Sequence, residues 1–131
     1  MLDSDASAAK SLALATVILE AVFFAIGVIV LAIAIVATAI SGVSLGTMGI
    51  AALVFTILFA IGLMWLLLDY YLVYKPLAQE RVADAETPSL VLGILQLILG
   101  GILPGILLII AYAKIRDSLN NMMRMRPVPA T

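Results

Sequence analysis

The chain predicts an all-α integral membrane protein: three transmembrane helices, followed by an interfacial amphipathic C-terminal helix. Three observations carry this. Of 131 residues, 65% are hydrophobic and 11% charged, with a mean hydropathy of +1.26. Soluble domains are about 45–50% apolar and about 25% charged. A chain this short cannot hide so much apolar surface within itself, so lipid must solvate much of it. Second, the apolar residues fall into three runs, each reaching the ~20 residues that a crossing needs. Third, the hydrophilic residues gather into three short stretches, 1–11, 75–89 and 114–131, which leaves a single polytopic membrane domain over 1–131.

The polar N-terminus, 1–11, ends in a helix start. Ser4 or Asp5 is expected as the N-cap, and the aspartates suit the positive end of a helix. The first span covers about 12–40 and is interrupted only by Glu20; Ala21 to Ile40 carries no charge. It is far longer than the ~7–15 residues of a signal-peptide core, and Asp3 and Asp5 offset Lys10 before it, so an uncleaved span is expected. Ser41 to Gly49 is a Gly/Ser-rich turn into the second span, about 48–74. This span ends in WLLLDYYLVYK. Trp65, Tyr70, Tyr71 and Tyr74 predict an interfacial aromatic belt from which Lys75 can snorkel, and Pro76 should stop or redirect the helix. After the hydrophilic loop 75–89, Thr87-Pro88 reads as a helix entry with proline near the first helical position. Tyr112 and Lys114 mark the exit of the third segment at an interface. In the tail, Ile115, Leu119 and Met122 recur at i, i+4 and i+7 among Lys114, Arg116, Arg124 and Arg126. That pattern predicts a helix lying along the membrane surface, ended by Pro127 and Pro129.

The third segment, about 89–113, decides the topology. It reads LVLGILQLILGGILPGILLIIAYA from Leu90, charge-free but with Gly100-Gly101 and Pro104-Gly105 in its middle. One reading is a single kinked span. Leu90 to Tyr112 would cover about 34 Å at ~1.5 Å per residue, enough to cross. Pro104 would then leave the Gly100 carbonyl unbonded, with glycine relieving the clash. The other reading is a re-entrant hairpin turning at Gly100–Gly105. Three full spans divide the seven Lys and Arg residues three against four, whereas a re-entrant third segment puts all seven on one side, as the positive-inside rule prefers. The fit of length favours the kinked span.

Glu20 and Asp69 are the candidate ion or proton site, because ionisable groups within a membrane are functional by default. In an antiparallel hairpin both fall near one interface, where pairing with Lys10 or Lys75 is the plainer role. Gln96 is the one strongly polar side chain of 90–113, suited to an interhelical hydrogen bond of ~0.6–2 kcal/mol. Gly93, Gly100, Gly101, Pro104 and Gly105 offer a close-packing face that includes a GxxxG spacing. Arg116, Arg124 and Arg126 are candidates for anionic lipid headgroups, at about 1 kcal/mol per charge.

The same residues exclude much chemistry. The chain has no Cys and no His, which removes thiol catalysis and the usual zinc and haem ligand sets. A net charge of −1 gives no footprint for nucleic acid. No nucleophile–base pair or phosphate loop is visible, so neither an enzyme nor a cofactor is expected. The primary expectation is a non-catalytic accessory or structural subunit of a larger membrane complex, or a homo-oligomer, in a plasma or cytoplasmic membrane. Its partners would be lipid and other membrane subunits or itself. The alternative is a small proton- or cation-coupled transporter or channel using Glu20 and Asp69. A third reading is a membrane-shaping protein, since in size and basic tail the chain resembles phage holins.

Overall fold

A computed structural model describes residues 2–99 and 101–126. All secondary structure among them is helical. Helix α1 spans Ser4–Ser41 and α2 spans Leu45–Asp69, prolonged by a π turn at Tyr70–Tyr74 and an α turn at Lys75–Ala78. Helix α3 is Val82–Leu99 and α4 is Ile102–Met125. Three helical stretches are long and apolar enough to cross a membrane: Ser4–Ser41, Leu45–Ala78 and Val82–Leu99.

The helices form two compact units, one from the residues up to Ile18 and from Leu68 onward, the other from Leu19–Leu67. The second unit is a simple hairpin. The Phe24 and Phe59 rings meet at 4.0 Å, and Gly62 sits beside Phe24. Its turn is shorter than the Gly/Ser-rich stretch suggested. Gly42 ends α1 at φ +68, the left-handed conformation that glycine adopts without strain. Ser44 then starts α2, its Oγ accepting from Thr47 N at 3.3 Å. Glu20 is the single ionisable residue of this unit, which carries an almost continuous exposed apolar surface, with Ile29, Ile33, Ile50 and Leu58 about half exposed or more.

The first unit holds the buried interior, and here several sequence expectations are corrected. Asp3 is the N-cap of α1, not Ser4 or Asp5: its Oδ1 accepts from Ala6 N at 2.7 Å. The polar N-terminus is therefore helical from Ser4. Pro76 does not end its helix. It cannot donate to Leu72 and its ring crowds that carbonyl, so the ladder widens upstream into a π turn in which Lys75 N bonds Tyr70 O. The helix ends at Gln79–Arg81 in a Schellman motif. Arg81 N bonds Pro76 O at 2.8 Å, Glu80 N bonds Leu77 O at 3.1 Å, and Glu80 takes φ 60. The expected loop 75–89 thus shrinks to three residues, and Pro88 lies inside α3 rather than at its start.

The third apolar segment is two helices, not one kinked helix. Helices α3 and α4 pack along one another, with Gly93 facing Gly105 and Ile109 across the pair. Between them Gly101 leaves the helical region (φ −91, ψ 61), and its N–H bonds Gln96 O at 2.7 Å, closing α3. Pro104 kinks nothing. It occupies the first turn of α4, where a missing N–H costs no intrahelical bond. Gly100, like Pro127 and Pro129 of the tail, lies outside the described residues. Nor is the tail a separate surface helix: α4 runs unbroken to Met125, and Ile115 is buried in the protein, while Leu119 is half-buried and Met122 exposed.

Candidate functional site

Buried polar side chains in this unit mark where the fold spends its hydrogen-bonding capacity. On α3, Val82, Ala85, Ser89, Leu92, Gly93 and Gln96 form one buried face at helical spacing. Gln96 comes from its last turn. Opposite it, the final residue before the π turn is Asp69, followed on the same face by buried Val73 and Leu77. The two side chains meet: Gln96 Nε2 donates to Asp69 Oδ2 at 2.6 Å, with Asp69 1% and Gln96 2% exposed. Because Gln96 also accepts the Gly101 N–H through its main-chain oxygen, one residue ties the α3–α4 turn to the π turn of α2. A π turn adds a residue to the helical register and is frequent at functional sites.

Glu20 belongs to the other unit, half-buried on α1 with its Oε2 enclosed. Lys75 is exposed, its Nζ 5.2 Å above the Tyr71 ring, and the Tyr70 ring meets Tyr71 edge to face at 5.1 Å and Tyr74 at a tilt at 5.6 Å. This aromatic cluster surrounds the π turn, while Trp65 is half-buried in the second unit. The packing glycines are brought together as a pair. A Cβ on Gly105 would lie 2.8 Å from Gly93 O, and one on Gly93 would lie 2.9 Å from Ile109 Cγ1.

A second polar group escaped the sequence reading. Ser118 Oγ donates to both Asp3 oxygens at 2.9 Å, and Lys114 Nζ reaches Asp5 Oδ1 at 3.1 Å. These bonds fasten the start of α1 to the outer half of α4. Lys114, expected as an interfacial anchor, is thereby a partly exposed ion-pair partner. Arg116 donates to the Tyr112 hydroxyl at 2.8 Å, and Arg124 and Arg126 are exposed. An Asp near an N-cap was a visible signal, but nothing in the local pattern singles out Ser118.

Comparison with known families, curated proteins and solved structures finds no match. The chemistry of the site therefore rests on its own geometry. A carboxylate and an amide in a buried pair can orient helices, or can hold one proton or small cation. Among the described residues no cluster of three or more acidic side chains could chelate a metal.

Proposed function

We propose that this chain is a non-catalytic bilayer-embedded protein whose work is helix packing, as an accessory or self-assembling subunit. In this reading the pair within 19–67 crosses the bilayer twice, and α3–α4 re-enters from the side that holds both termini. One observation carries it: the α3–α4 hairpin is apolar at its turn and charged at its open end. Ile98 and Leu99 are 73% and 68% exposed at the turn, whereas Arg81, Asp84, Arg116 and Asp117 are exposed at the other end. All seven Lys and Arg residues lie outside 19–67, so this topology places every one on a single side. It replaces the kinked third span expected from length alone.

The function is tested by purification in mild detergent. The proposal expects a defined oligomer or a co-purifying membrane protein, and a lone monomer without a partner overturns it.

The Asp69–Gln96 pair favours a second reading, a proton or cation site in a small transporter. Asp69→Asn would then abolish a cation-dependent flux into liposomes that the wild type sustains. Equal flux in both proteins removes this reading.

A further inference from the structure

We propose that the α3–α4 hairpin is a wedge for one leaflet, which makes the protein favour curved membrane. The inference rests on the re-entrant reading above and adds a consequence to it. The first support is length. From Leu90 to Leu99 the inward arm has ten apolar or amide residues, about 15 Å of helix, and from Ile102 to Ala113 the returning arm has twelve, about 18 Å. A hydrocarbon core of ~30 Å gives each leaflet about 15 Å. The apolar part of each arm therefore matches the depth of one leaflet.

The second support is what the turn exposes. Ile98, Leu99, Ile102 and Leu103 are all more than half exposed, and they surround a backbone break whose Gly101 N–H is already satisfied by Gln96 O. An apolar tip with its turn hydrogen bond made internally suits acyl chains. The occupant is therefore lipid of a single leaflet, reached from the side of the charged end.

The third support is asymmetry. The two hairpin helices are drawn together where Gly93 meets Gly105, the π turn and the Lys75–Ala78 turn lie against α3, and the start of α1 is bonded to α4 through Asp3–Ser118 and Asp5–Lys114. On the re-entrant topology this whole body occupies one leaflet, and the opposite leaflet holds only the pair within 19–67. The protein then takes more area in the leaflet that the hairpin enters, so it is accommodated best on the convex face of a bent membrane.

The test uses the full chain, whose lack of cysteine makes single-Cys variants clean. Leu99→Cys, carrying a fluorophore, is reconstituted with lipids bearing nitroxides at headgroup or chain-end depth. Strongest quenching by the chain-end nitroxide is expected, and strongest quenching by the headgroup nitroxide overturns both the re-entrant reading and the wedge. Asn120→Cys is then labelled from outside giant vesicles of neutral phospholipid with an impermeant dye, so that only one orientation is read, and a tether is pulled outward. The dye-to-lipid ratio should rise in the tether as it narrows. A flat ratio while Leu99 remains at chain-end depth overturns the wedge and leaves the topology standing. The combined variant I98S/L99S/I102S/L103S should lose the enrichment, and full enrichment in it also overturns the wedge.

Discussion

At the scale of single residues, the structure rests on a few polar atoms placed where protein surrounds them. Removing the Asp69 carboxylate takes away the acceptor of the buried Gln96 Nε2, at a cost of about 1–3 kcal/mol for a buried hydrogen bond to a charged group. Asp69→Ala should lower the thermal midpoint in detergent accordingly. Asp69→Asn, which keeps an oxygen that can accept from Gln96 Nε2, should lose less. Glu80 is the opposite case. It holds the left-handed position of the Schellman motif that glycine fills at no steric cost. Glu80→Gly should stabilise the protein, by about 1 kcal/mol from the relief of left-handed strain, read as a raised midpoint in the same assay. These two residues show what sequence could and could not reveal. Asp69 and Gln96 stood out as polar groups beside long apolar runs. Their pairing did not, because 27 residues separate them and the register depends on a π turn that no composition signal announces.

At the scale of helices, the glycines separate into those that fold the chain and those that merely occupy it. A methyl on Gly105 meets main-chain atoms at 2.8 and 2.9 Å, which cannot swing aside, whereas Gly27 faces open space. Gly105→Ala should therefore destabilise by about 1–3 kcal/mol through overpacking. Gly27→Ala should stabilise by up to about 1 kcal/mol through helix propensity. Measuring the two midpoints side by side checks the assignment, and equal midpoints would contradict the close contact. The sequence marked Gly93 and Gly105 as a packing face, but it left the partner open. Gly105 meets Gly93 of the same chain, while Gly101, the other glycine of the GxxxG spacing, lies in the turn. The prolines misled for one physical reason. A proline disrupts a helix interior but is harmless in a first turn, and only knowledge of where a helix starts tells these apart. Pro104 opens α4, and Pro88 sits within α3.

At the scale of the whole molecule, the apolar runs and the segregation of charge were legible, because each follows from composition along the chain, whereas both turns between the runs proved shorter than expected. Whether 89–113 crosses or returns was not, since a length of about 34 Å is compatible with both a span and two half-length arms. The charge count pointed to a re-entrant hairpin and the length to a kinked span, and the length weighed more. The proposed re-entrant topology yields a direct expectation. Ser7→Cys and Asn120→Cys, both exposed positions, should react with an impermeant maleimide from the same side of the membrane, and Val43→Cys from the opposite side. Opposite labelling of Ser7→Cys and Asn120→Cys would restore a third crossing.

The turn at Gly101 bears also on how such a protein gets into its membrane. Carrying a hydrophilic loop through hydrocarbon normally requires machinery, because every ion moved must shed its water. The α3–α4 turn has no ion to move. Its residues from Ile98 to Leu103 carry no charge, and its Gly101 N–H is already bonded to Gln96. The two arms also contact each other over a short stretch of chain, so they can pair as soon as both have been synthesised. On the re-entrant topology this hairpin could enter a leaflet from the side on which it was made, as a preassembled piece, leaving only the loop near Gly42 to be translocated.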